Sequence, residues 1–182
     1  VLVDVERLDG NLARMSRAVA AAGAQLRPHA KSHKTREIAR RQLALGACGL
    51  TVAKVGEAEA LAAPGIDDLL VAYPVLGEAK LRRLLRLASR ARVRIALDSL
   101  EVAAAASAFF ARRGARLDVL LELDVGFGRT GVASAEEAVA LAERVDDLPG
   151  VRVCGLLAFG GQAYGVPDTG QHAVIGRREG EQ

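Results

Sequence analysis

The run Arg27-Pro28-His29-Ala30-Lys31-Ser32-His33-Lys34-Thr35 gathers two lysines and two histidines around one proline. An ammonium held among other cations, in a mouth shielded from water, gives up its proton more readily, and the free amine can condense with a carbonyl. An apolar approach at residues 22–26 precedes the run, so it is expected to close a buried strand over residues 24–31. Period-2 alternation in that strand sends His29 and Lys31 to one face and Ala30 to the other. The alternative for this run alone is a basic surface loop.

A second candidate is Glu122-Leu123-Asp124-Val125-Gly126-Phe127-Gly128-Arg129-Thr130-Gly131. A strand ends in acidic residues, glycines let the backbone turn sharply, and Arg129 can fork hydrogen bonds to an anionic ring substituent or carboxylate. Gly126, Gly128 and Gly131 spell GxGxxG, but after the fifth strand-like run and without the acidic residue that closes the next strand, so this is not a dinucleotide fingerprint. The alternative for Arg129 is a salt bridge to Asp124. Tyr73-Pro74 closes another run, where the tyrosine either lines a site or caps a core. Asp98-Ser99 is expected to cap the following helix. His172 lacks spaced partners, and no His, Cys and carboxylate cluster has metal-ligand spacing.

Positioning these residues requires strands that deliver them to one end. Strand-like runs recur at residues 24–31, 48–53, 68–73, 93–99, 118–124 and 151–159, with helical segments near 35–45, 57–62, 77–91, 100–113 and 135–145. Ahead of them, Asp9 is expected to cap a helix carrying Leu12, Met15 and Val19 on one face. Almost wholly apolar strands alternating with helices imply parallel pairing under a helical cover. Polar residues at successive strand ends (Lys31, Tyr73, Asp98, Asp124) favour a (β/α)8 barrel over a doubly wound sheet, because barrels place their chemistry on that face. About six β/α units are counted, two strands short of closure. The expectation is that residues are missing or a partner closes the barrel, and that the chain alone is poorly stable with its edges unpaired.

At 182 residues and 51% hydrophobic content the chain can bury a core, with no run of bilayer length. A start at Val1 without methionine or a signal-like segment suggests that the sequence begins inside its gene product. Cys48 and Cys154 lie far apart in apolar contexts and are expected to be buried thiols, which reads as cytoplasmic. The formal charge of +3 invites a nucleic-acid reading. Arginines spread over helix faces and an aromatic content of 3% weigh against it, since stacking platforms are lacking.

Taken together, Arg27 to Thr35, Val71-Ala72-Tyr73-Pro74, Leu97-Asp98-Ser99-Leu100-Glu101-Val102 and Glu122 to Gly131 resemble the pyridoxal-phosphate enzymes of fold type III, with an alanine-racemase-like N-terminal barrel. Within that group they are similar to the D-threonine aldolase and D-serine dehydratase-like family. The resemblance covers residues 1–164; residues 165–182 read as a polar tail or the start of a seventh unit, and the family's C-terminal β-domain is absent. It implies that Lys31, rather than Lys34, holds pyridoxal 5'-phosphate as a Schiff base, that Arg129 contacts the cofactor ring region, and that His29, Tyr73 and Tyr164 contribute to the cofactor site. It further implies a divalent metal whose ligands lie outside this chain, a homodimer, and a D-amino acid substrate, with no nucleic-acid or membrane partner. Where the family commonly has a Tyr-x-Gly-His-x-Tyr-like segment, this chain has Phe159-Gly160-Gly161-Gln162-Ala163-Tyr164, without one hydroxyl and one imidazole.

Three functions are therefore expected in order. The first is a lyase that cleaves or dehydrates D-3-hydroxy amino acids. The second is a pyridoxal-phosphate-binding protein without catalysis, or an inactive fragment of such a lyase. The third is a barrel that binds a phosphate ligand electrostatically through the basic run.

Overall fold

The computed structural model describes residues 2–181, and its five strands follow chain order in one sheet. They are β1 Leu50–Val52, β2 Asp68–Val71, β3 Arg92–Leu97, β4 Leu117–Leu123 and β5 Val151–Ala158. The helices are α1 Val5–Ala21, α2 Arg36–Ala44, α3 Val55–Leu61, α4 Glu78–Ala88, α5 Leu100–Ala111, α6 Ala135–Asp146 and α7 Thr169–Glu181. The expected α/β alternation is present. Residues 1 and 182, the outer ends of the two expected spans, lie outside the described residues. The chain divides into two compact units: one runs through Tyr73 and adds Arg82–Arg94, the other comprises Pro74–Leu81 and everything from Ile95 onward.

In the first unit, β1 and β2 pair in parallel with Leu50 opposite Leu69 and Val52 opposite Val71. All of β1 and Leu69 to Val71 are buried, as expected of strands covered on both faces. The expected strand at residues 24–31 does not form. Its pairing is limited to one parallel bridge, His29 with Thr51, and the bonds Cys48 N–H to Leu26 O and Thr51 N–H to Pro28 O. Pro28 has no N–H to extend the ladder, and the chain next tightens into a 3-10 turn at Ala30–Ser32. The alternation that aligned His29 with Lys31 therefore does not apply.

The helix start is also corrected. Asp4 caps α1 by accepting from Arg7 N–H, while Asp9 lies inside the helix and accepts two 2.8 Å bonds from Arg41. At the opposite end of β2, Asp68 accepts from Arg27 at 2.7 Å and from Arg94 at 2.8 and 2.7 Å. Gly49 makes room for this brace, because a Cβ there would overlap Arg27 Nη1.

In the second unit, β4 and β5 run parallel with a register shift after Val119, so Leu120 faces Gly155 and Cys154 bulges out. Ser99 and Ser134 cap α5 and α6 through Val102 N–H and Glu137 N–H. Phe109, Phe110, Leu117, Leu121 and Val145 are almost wholly buried. Buried Ser107 accepts from Gly150 N–H at 2.9 Å, where a Cβ would overlap the Ser107 carbonyl. Neither cysteine is in a disulfide, and the expectation that they are buried fails: Cys48 is half-buried and Cys154 exposed. For Cys154 the reason lies in β5, whose Arg152, Cys154, Leu156 and Ala158 share an uncovered face. Residues 165–182 are not wholly irregular, since α7 occupies most of them. Among the described residues no helix is long and apolar enough to cross a membrane.

Candidate functional site

Lys31 sits on the 3-10 turn, so its presentation depends on what pins that turn. Ala30, 1% exposed, anchors its start, and the Ala30 carbonyl accepts from both His33 N–H and Lys34 N–H. His29 caps it, Nδ1 accepting from Lys31 N–H at 3.3 Å. That bond leaves Nδ1 without a proton and assigns the proton of the neutral ring to Nε2. Burial first, then the charge of Lys31, holds His29 below the ordinary histidine value, against a weaker opposing pull from Glu57. His33 is lowered by burial too, opposed by Gln42 and by the Thr35 amide, which donates to its Nδ1 at 3.2 Å. His33 Nε2 and Gln42 Oε1 are both buried without a well-aligned partner.

The two lysines separate clearly. Lys34 Nζ lies 3.2 Å from Glu57 Oε1, and the Glu57 side chain is only 9% exposed. Lys31 is exposed, and among the described residues its side chain enters no hydrogen bond or ion pair. Glu57 Oε2 accepts from Ala53 N–H at 2.9 Å. Burial pushes the Glu57 carboxyl upward, but the Ala53 amide and the lysines outweigh it and leave the group below its usual range. The sequence reading missed Glu57. Its signal was a glutamate three residues into a helix start, where a carboxylate can reach back to a free amide. Tyr73 follows β2 and is 61% exposed.

The second unit carries Arg129 and Tyr164. Asp124 does not pair with Arg129; its Oδ1 accepts from Gly126, Phe127 and Gly128 N–H at 3.0, 2.9 and 2.9 Å. Those bonds, Gly128 foremost, hold Asp124 below the ordinary carboxylate range. Arg129 instead lies over Phe159, 4.3 Å from the ring centroid, with Nη2 3.8 Å from Glu122 Oε1. Glu122 is buried and takes a 2.6 Å bond from Thr130 Oγ1. Asp98 does not cap α5; it accepts from Gly131 N–H at 3.1 Å. Three carboxylates, Asp98, Glu122 and Asp124, thus hold the loop that presents Arg129. Gln162 Nε2 donates to Val125 O, leaving Oε1 buried without a partner. Tyr164 is 84% exposed, its ring 6.1 Å from that of Phe159. A cleft of about 380 Å³ beside α6, lined by Leu123, Val132, Ala138, Val139 and Leu156, is apolar and holds neither Arg129 nor Tyr164.

The family "Alanine racemase, N-terminal domain" matches residues 3–175. The chain belongs to this family. It is 42% identical over 178 residues to a D-threonine aldolase of Arthrobacter sp., covering 98% of this chain and 47% of that protein. The crystal structure of D-threonine aldolase from Filomicrobium marinum superposes with a TM-score of 0.93 at 36% identity, covering 99% of this chain and 49% of that one. D-threo-3-hydroxyaspartate dehydratase from Delftia sp. HT23 gives 0.90 at 32% identity, covering 97% and 47%. The structural neighbours are alanine-racemase-like TIM barrels. This member of the alanine racemase N-terminal family spans about half the length of the relatives it matches.

The donor chemistry in each unit fits pyridoxal phosphate. An amine without a counter-ion suits its aldehyde, and a guanidinium placed over an aromatic ring suits its anionic ring oxygen. Among the described residues no group of three or more His, Cys, Asp or Glu side chains could hold a metal ion.

Proposed function

We propose that the protein is a pyridoxal-phosphate-dependent lyase that cleaves or dehydrates D-3-hydroxy amino acids. The observation that carries this reading is the division of labour between the lysines: Lys34 is committed to buried Glu57, and Lys31 is uncommitted. The likeness to an aldolase and a dehydratase supports the reaction class. When bound, pyridoxal phosphate supplies an electron sink for negative charge that develops on the substrate.

The chain's own residues do the rest. Lys31 would hold the cofactor through its amine and exchange it for the substrate amine. Arg129, with Glu122 beside it and the Phe159 ring beneath its guanidinium, would donate to the ring oxygen. His29 would present its Nε2–H as a donor, and Tyr73 and Tyr164 would contribute hydroxyls at the rim. We place the protein in the cytoplasm and as a homodimer. The divalent metal expected from the resemblance would take its ligands from residues outside this chain. A second reading, cofactor binding without turnover, is favoured by Phe159 and by the amide of Gln162, which cannot move a proton as an imidazole does.

The test is incubation with pyridoxal phosphate, borohydride reduction and peptide mapping, followed by assay with D-threonine and D-serine. The expected result is a pyridoxyl adduct confined to Lys31, with turnover abolished in Lys31→Ala. An adduct without turnover would select the second reading. Normal turnover by Lys31→Ala would sink both.

A further inference from the structure

Lys34 is, among the described residues, the one non-glycine residue with positive φ, at 53°. An L-residue resists this left-handed conformation because its Cβ crowds the following carbonyl. Something must hold Lys34 there, and the nearest fixed point is Glu57. Glu57 belongs to α3, not to the turn, and its Oε2 is tied to Ala53 N–H. Its Oε1 is therefore a stationary acceptor, 3.2 Å from Lys34 Nζ. Lys34 in turn closes the 3-10 turn by donating its N–H to Ala30 O at 2.8 Å. The turn is thus pinned at its start by buried Ala30 and at its end by the Lys34–Glu57 pair. Lys31 stands between the two pins.

We propose that Glu57 is a positioning residue for Lys31. By pairing with Lys34 it holds the left-handed residue that closes the turn, and it occupies the one other amine in the run. The backbone that carries Lys31 is held, and its amine is left unchallenged. This inference rests on the reading of Lys31 as the cofactor-binding lysine, and it makes Glu57 a determinant of which lysine reacts. Glu57 need not touch the cofactor.

The experiment follows borohydride-trapped pyridoxyl label on Lys31 and Lys34 separately, by peptide mapping of the intact protein over time. Native protein is expected to label at Lys31 alone. In Glu57→Gln, labelling of Lys31 should slow about tenfold, the scale of a lost left-handed conformer, and part of the label should move to Lys34. Lys34→Ala should slow Lys31 as much. Lys34→Gly should restore a near-native rate, since glycine adopts positive φ without penalty. The alanine and glycine variants keep the question open to refutation should Glu57→Gln fail to fold. Equal, native-like rates in Lys34→Ala and Lys34→Gly would overturn the proposal and leave the Lys31 reading standing. So would Glu57→Gln labelling Lys31 at the native rate with nothing on Lys34. Absence of a specific Lys31 adduct in native protein would overturn the functional reading, and the proposal with it.

Discussion

At the scale of single residues, buried carboxylates hold cations of the two motifs in place. Glu57 and Glu122 are both buried, and each holds a cation of a motif through one oxygen while the loop or strand around it fills the other bonds. The lysines, histidines and arginine were legible because their types and spacing are unusual. Glu57 was not legible and the partner of Glu122 was not, because a glutamate in a helix or at a strand end is ordinary until its burial is known. Thr130→Val tests this at the second unit, since it removes the 2.6 Å donor to Glu122 and leaves a buried oxygen without its bond. We expect a loss of about 1–3 kcal/mol in thermal unfolding. A melting temperature equal to native would show that water replaces the hydroxyl.

At the scale of elements, the loop after β4 and the turn before β1 solve one problem differently. Both must end extended chain abruptly and still present a long side chain. The loop after β4 uses glycines wrapped around Asp124, closing with Gly131 at φ 106°. A Cβ at Gly131 would stand 2.5 Å from Asp124 N, so Gly131→Ala combines strain with a backbone clash. It is expected to cost about 3 kcal/mol, read as a lowered melting temperature together with weaker pyridoxal-phosphate binding. Native stability in that variant would mean that the loop has slack. The turn before β1 has no glycine at its closing position and instead uses Lys34, held by Glu57. Strand and helix periodicity showed where the elements lie. It did not show that residues 24–31 pair too sparsely to form a strand, because the absent amide of Pro28 acts through hydrogen bonding rather than polarity.

At the scale of the whole molecule, ionisation couples the site to stability. His29 and His33 are held below the ordinary value of 6.5. The unfolded chain therefore takes up these protons at higher pH than the folded one. Stability from this source is complete above about pH 6.5 and falls as pH drops toward the folded values. Glu57 and Asp124, held below the usual carboxylate range, add a second loss at still lower pH, as they protonate on the way down. Melting followed from pH 8 to pH 5 should show a decline beginning near pH 6.5. A flat or rising melting temperature over that interval would mean that the histidines gain partners on protonation.

The sequence by itself determined the α/β alternation, the family, the basic run and the glycine loop. These depend on periodicity, on residue type and on close spacing along the chain. Tertiary structure alone decided which amine is uncommitted, which carboxylate holds which cation, and which thiol faces outward. Those outcomes depend on distances between residues far apart in sequence, such as Lys34 and Glu57 at 3.2 Å or Asp98 and Gly131 at 3.1 Å. No local pattern encodes such distances, because burial and partner geometry are properties of the folded chain.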